Sequence, residues 1–118
     1  YWILAKDELS EIRESEYGGI NHGGEMETSL QLALKPDLVD MKKAKKVMPP
    51  ISSYIVRDLL GPKKVYRPLR TLEITKSGNI GDATIASVEK GREMLERIVD
   101  AVARFIRHFN SVSSYKEL

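Results

Sequence analysis

The 118-residue sequence contains no cysteine. That excludes disulfides, thiolate metal sites and a cysteine nucleophile. Histidine is almost as scarce, with only His22 and His108, and His22 alone sits in a motif. One such imidazole and no second ligand cluster cannot complete a two-metal site within this chain. No apolar run approaches the roughly 20 residues that a membrane helix needs, and no signal-peptide pattern is present. Internal repeats and low-complexity segments are also missing. What remains is 42% hydrophobic and 31% charged, the balance of a soluble globular chain with the size of one domain. A chain of this length buries roughly two-thirds of its unfolded surface if it folds alone. The expected location is cytoplasmic.

No sign of charge dominates, since 19 Lys and Arg face 17 Asp and Glu for a net +2. The layout is uneven, however. Residues 1–34 hold seven acids against two bases, residues 35–76 hold eleven bases against four acids, and the rest is even at six against six. The basic middle, with Lys42, Lys43, Lys45, Lys46, Lys63, Lys64, Arg67 and Arg70, could serve nucleic acid. No nucleic-acid module signature accompanies it, and Lys42 to Lys46 follow a helix end, where cations suit the dipole. The expectation is therefore no nucleic acid and no membrane. A phosphate on a small substrate is a better use of Arg67 or Arg70.

Periodicity gives a mixed helix-and-strand organisation. Residues 1–5 read as a buried strand end. Residues 7–16 read as a short helix with Asp7 as cap, Leu9 and Ile12 inward, and Gly18-Gly19 beyond its end. Residues 25–35 form a second helix, with Met26, Leu30, Ala33 and Leu34 on one face. Loops follow at Met48-Pro49-Pro50 and around Gly61-Pro62. Residues 65–75 are the other strand region. Residues 84–110 form the clearest helix, capped by Asp82 or Thr84. Its apolar stripe is Val88, Leu95, Ile98, Val99, Val102, Phe105, Ile106 and Phe109. Gly91 should lie where this helix crosses another backbone closely, because an interior Gly otherwise costs ~1 kcal/mol against Ala. Residues 111–118 read as a flexible tail. Each apolar face needs a covering layer, and two long helices with few strands do not supply one.

His22-Gly23-Gly24-Glu25-Met26-Glu27-Thr28-Ser29 carries the chemistry. A Gly-flanked turn delivers an imidazole and carboxylates to a helix N-terminus, with its unpaired N–H groups and positive dipole end. One reading is a helix start with a solvated histidine and dipole-favoured acids; the other is a hydrolytic or metal site. An imidazole with its ordinary pKa near 6.5 takes and gives a proton around neutral pH. Glu25 and Glu27 point about 200° apart on a helix, so both cannot face one ion unless the helix starts after them. His108, near a helix C-terminus, receives no function.

From His22 to Met41 the sequence resembles the signature of the creatininase (creatinine amidohydrolase) family, loosely His-Ala/Gly-Gly-x-x-Glu-Thr-Ser-Leu-x-Leu-x-Leu-x-Pro-Asp/Glu-Leu-Val. Gly78-Asn79-Ile80-Gly81-Asp82-Ala83-Thr84-Ile85-Ala86-Ser87, followed by Glu89-Lys90-Gly91, is similar to the opening of that family's last helix. Tyr1-Trp2 matches a Tyr-Trp pair found before the signature. The resemblance spans nearly the whole chain but only the C-terminal half of a family member. The family's acid-x-His pair, Asp and Asn-Gly-His segment lie upstream of the matching part. None occurs here, so the chain reads as the C-terminal portion of a single domain whose N-terminal half is absent.

The resemblance implies an α/β protein, a three-layer α/β/α fold with a mostly parallel sheet, incomplete in this chain. It implies that His22 contacts substrate and moves a proton at the scissile nitrogen, that Glu27 orients His22 or a ligand, and that Trp2 lines the substrate pocket. Glu25 is inferred to supply a metal carboxylate. The implied cofactor is a divalent metal, two per complete site, with Zn, Mn or Fe(II) all suited to carboxylate and imidazole donors. The implied activity is hydrolysis of a C–N amide bond in a small cyclic amide or formamide by metal-activated water. The implied partners are that substrate, the N-terminal half and further copies of the protein, in the family often a hexamer. Where the family's creatinine-cleaving pattern has a pocket Trp followed by Asp, this chain has Gly18-Gly19, and Asn21 replaces the acid before the histidine. These departures tilt the expectation toward a formamide or other non-creatinine amide. The rival from another class is a non-catalytic fragment or subunit that keeps the fold and serves in assembly.

Overall fold

The computed structural model describes residues 1–50, 54, 57–62, 65 and 70–112. In chain order they form helix α1 (Lys6–Ile12), helix α2 (Glu25–Leu34), two single 3₁₀ turns (Pro36–Leu38 and Met41–Lys43), strand β1 (Lys46–Val47), the one-turn helix α3 (Thr71–Ile74), strand β2 (Gly81–Asp82) and helix α4 (Val88–Ser111). The mixed helix-and-strand class agrees with the sequence. The expected three-layer parallel sheet is not seen among the described residues, whose sheet is a two-stranded antiparallel ladder pairing Lys46 with Asp82 and Val47 with Gly81.

The first segment expected as a strand turns instead. Of the second, Val65 makes a single bridge, its N–H donating to the Tyr54 carbonyl at 3.1 Å, and only residues 71–74 are seen to turn. The amides of Leu4 and Ala5 fold back onto the Tyr1 carbonyl at 3.1 and 3.4 Å, and this turn leads directly into α1. A short apolar run does not distinguish a strand from a buried turn by its pattern. Downstream, residues 71–74 wind into α3, where the Glu73 carboxylate accepts the Arg70 N–H at 2.8 Å. Residues 66–69 of that expected strand, with Arg67, lie outside the described residues.

The core gathers Ala5 and Leu9 from the first helix region, Met26 and Leu30 from α2, and Met94, Ile98 and Ala101 from α4, with Ile20 and Leu60 completing it. Burying each of the large side chains contributes roughly 1.5–3 kcal/mol. The face that α4 turns inward is Gly91, Met94, Ile98 and Ala101, which shares only Ile98 with the expected stripe. Leu95 and Val102 are partly buried, while Val99, Phe105, Ile106 and Phe109 remain exposed. The reason lies at Gly91: a Cβ there would overlap the carbonyl of Ser29 in α2. The helices therefore meet backbone to backbone at this point, and that contact sets the rotation of α4.

Helix α4 also begins later than expected. Its cap is Ser87, whose hydroxyl accepts the Lys90 N–H at 3.1 Å and whose own N–H donates to Ser29 Oγ at 3.2 Å. Asp82 closes the preceding turn instead, accepting the Thr84 N–H at 3.1 Å and its hydroxyl at 2.5 Å. At the other end Ser111 is still helical. The rest of the expected tail, residues 113–118, falls outside the described residues.

Candidate functional site

Residues 18–24 connect the first helix region to α2, and they are held from several sides. Asp58, buried, accepts both terminal guanidinium nitrogens of Arg13 at 3.1 and 2.9 Å, the Gly18 N–H at 2.7 Å and the Leu60 N–H at 3.0 Å. The Gly19 carbonyl accepts from Glu25 and Asp82 at 3.2 and 3.0 Å. The Ile20 carbonyl accepts the Leu59 amide at 2.8 Å, and the His22 carbonyl accepts that of Ile80 at 2.7 Å. Gly23 sits in the left-handed region at φ +60°, a conformation that costs a side-chain-bearing residue energy. The turn that carries His22 is thus anchored to the 57–60 segment and to the approach to β2.

His22 and Glu27 are brought together. The imidazole stands 73% exposed with Nδ1 3.9 Å from Glu27 Oε2. That is ion-pair range but too long for a hydrogen bond. The same Oε2 accepts the Gly23 N–H at 2.6 Å, so the backbone of the histidine turn fixes the carboxylate that faces the histidine.

Glu25 is placed differently from the expected metal ligand. It is fully buried, and its oxygens accept the Glu14 N–H at 3.0 Å, the Ser15 N–H at 2.9 Å and the Lys90 ammonium at 2.8 Å. Burial by itself would raise its pKa, but the bonds from Lys90, Ser15 and Glu14 outweigh burial and hold the carboxyl below the usual carboxylate range. An ammonium already stands where a cation would bind.

Two cavities flank Glu27. One, of about 500 Å³, is lined by Tyr1, Glu27, Leu30, Gln31, Leu34, Leu95 and Ile98. The other, of about 410 Å³, includes Gly23, Glu27, Thr28, Gln31, Lys45, Ser77 and Asn79 in its wall. Trp2 lines neither of these cavities; it packs partly buried against the core, with Tyr1 edge-on to its ring at 5.0 Å. The ring beside Glu27 is that of Tyr1. Burial first, and the Glu27 charge second, push its phenol pKa up, so the hydroxyl stays protonated and able to donate. Sequence reasoning missed Tyr1 and Gln31. The signal for Gln31 was its place one turn beyond Glu27, where i and i+4 side chains share a face.

The donor set for a metal centre is incomplete here. Among the described residues no group of three or more His, Asp or Glu side chains gathers that could hold a metal ion. His22 and Glu27 offer two donors at most, whereas protein sites for such ions take three or four. Among the same residues, no helix is long and apolar enough to cross a membrane.

This site lies on a chain whose relatives are consistent. The family model "Creatininase: Creatinine amidohydrolase" matches residues 1–106. The chain therefore belongs to the creatininase family. It is 34% identical over 111 residues to a creatinine amidohydrolase of Pseudomonas putida, covering 91% of this chain and 39% of that protein. Among solved structures it resembles a creatininase of the Mn form, with a TM-score of 0.69 at 32% identity, over 95% of this chain and 42% of that one. A creatininase mutant of the Zn–Zn type gives a TM-score of 0.67 at the same identity and coverage. The chain spans about two-fifths of the length of these relatives.

Proposed function

We propose that the whole protein is a metal-dependent amidohydrolase that cleaves a C–N amide bond of a small cyclic amide or formamide, and that this chain supplies its proton-transfer corner. The juxtaposition of His22 with Glu27 at 3.9 Å, Glu27 lining both cavities, carries the reading. Water adds to the amide carbonyl, the imidazole takes up a proton, and the departing nitrogen receives one as the C–N bond breaks. Glu27, in ion-pair range of the ring, orients it by charge attraction. The phenol of Tyr1 and the amide of Gln31 offer polar contacts to a bound amide. In this reading Trp2 supports Tyr1 from behind, and Glu25 serves Lys90 in place of a metal.

The divalent metal (Zn, Mn or Fe(II), two per complete site) belongs to the same proposal. The related creatininase structures, one an Mn form and the other of the Zn–Zn type, support it. Its ligands would come from the N-terminal half of the whole protein. Assembly as a homo-oligomer, with a hexamer as the family expectation, and a cytoplasmic location are proposed with it. The non-catalytic alternative draws no support from the comparisons.

Gly18, whose φ of +95° disfavours a larger side chain, and Gly19, where a Cβ would overlap the Ser15 side chain, supply no aromatic ring at this edge. That supports a formamide or another amide over a flat cyclic guanidine. The test is His22→Ala in the whole enzyme. Turnover should fall by about 10²–10⁴ while metal content stays at the wild-type level. Wild-type turnover would return the turn to a plain helix start.

A further inference from the structure

Glu25 begins α2 and Lys90 lies in the first turn of α4. Their side chains are 0% and 12% exposed and meet at 2.8 Å. Lys90 reaches Glu14 as well, at 3.1 Å. Burying two opposite charges contributes little net stability, because desolvation offsets their attraction. Direction is what such a pair supplies: three donors from two separate segments converge on one carboxylate.

The consequence runs through the chain. The Glu25 side chain binds the amides of Glu14 and Ser15, while its own N–H binds the Gly19 carbonyl at 3.2 Å. Residues 14–25 are thereby drawn closed, with His22 three residues before Glu25 on the closing arm. Lys90 ties that closure to α4 beside two other welds to α2, the Ser87 to Ser29 bond and the Gly91 contact. We propose that Glu25 and Lys90 form a positioning pair that sets the stance of the His22–Glu27 turn against α4. The importance of that stance rests on the active-site reading above, but its existence can be measured without any activity.

The experiment uses the whole protein with ¹⁵N-labelled histidine and backbone. Lys90→Met keeps the apolar stem and removes the charge, and Lys90→Arg keeps the charge. In Lys90→Met the Glu14 and Ser15 amides should exchange at least tenfold faster and the His22 imidazole signals should move, with helix content by circular dichroism unchanged. Lys90→Arg should retain wild-type His22 signals. Should Lys90→Met fail to fold, Lys90→Met combined with Glu25→Gln removes both buried charges and should show the same His22 displacement. Unchanged His22 signals in folded Lys90→Met, or in the folded double variant, would overturn the proposal. Loss of turnover in His22→Ala bears only on the active-site reading, so the two can fail separately.

Discussion

Two glutamates stand two positions apart in the first turn of α2, and the helix sends them to different work. Their separation of about 200° around the axis turns Glu25 into the packed interior and leaves Glu27 37% exposed beside His22. The motif that contains both was legible from its residues. The partner of Glu25 was not, because Lys90 lies 65 positions away and no local pattern joins them. This pair should govern the pH response. The Glu25 carboxyl is held below its usual range, so its stabilisation is present above an unfolded value near pH 4.3 and is lost as pH falls through the lower folded value. For Lys90, burial opposes the charge, but the bonds to Glu25 and Glu14 outweigh it and raise its pKa. Its stabilisation is present below about pH 10.4 and is lost as pH rises through the higher folded value. Glu25→Gln should accordingly show a shallower acid limb than wild type in urea titrations from pH 7 to 3. Lys90→Met strands a buried carboxylate and should cost roughly 3–5 kcal/mol at pH 7. A loss under 1 kcal/mol would mean that water reaches Glu25.

At the scale of elements, α2 and α4 were the most visible parts of the sequence, because long periodic segments signal strongly. The boundaries of α2 agree within one residue. The rotation of α4 was the hidden quantity. Its period is common to any amphipathic helix, whereas its phase depends on the contact of Gly91 with Ser29, a tertiary fact. Met94 was outside the expected stripe yet is fully buried, while Phe109 was inside it and is 58% exposed. Met94→Ala should therefore cost about 2–5 kcal/mol, and Phe109→Ser should stay within about 0.5 kcal/mol, both measured by chemical denaturation of this chain. The reverse order would put the phase of the helix in error. Gly91→Ala gains about 1 kcal/mol in helix propensity but must push two backbones apart, at a cost of typically 1–3 kcal/mol. A lower melting temperature is expected, and a higher one would remove the close-contact argument.

At the scale of the molecule, α4 runs about 36 Å at 1.5 Å per residue against about 15 Å for α2. Val99, Phe105, Ile106 and Phe109 stay exposed along it. Family membership was readable because the His22 signature and the Gly78–Gly91 segment are long and specific. The antiparallel pairing of β1 with β2 was not readable, since strand pairing depends on chain segments far apart in sequence. The same division applies to the metal. Only two histidines occur in the whole chain and there is no cysteine. Of the carboxylates nearest the turn, Glu25 is already neutralised by Lys90. His22 and Glu27 remain, and a two-donor site holds a first-row divalent ion weakly while water supplies the other positions. Titration of the refolded chain with Zn²⁺ or Mn²⁺ should show weak or substoichiometric binding. On the proposed function, the whole protein should by contrast retain close to two ions per site through dialysis. Tight uptake of two ions by this chain alone would require donors that the described residues do not bring together, and would overturn the assignment of the metal ligands to the rest of the protein.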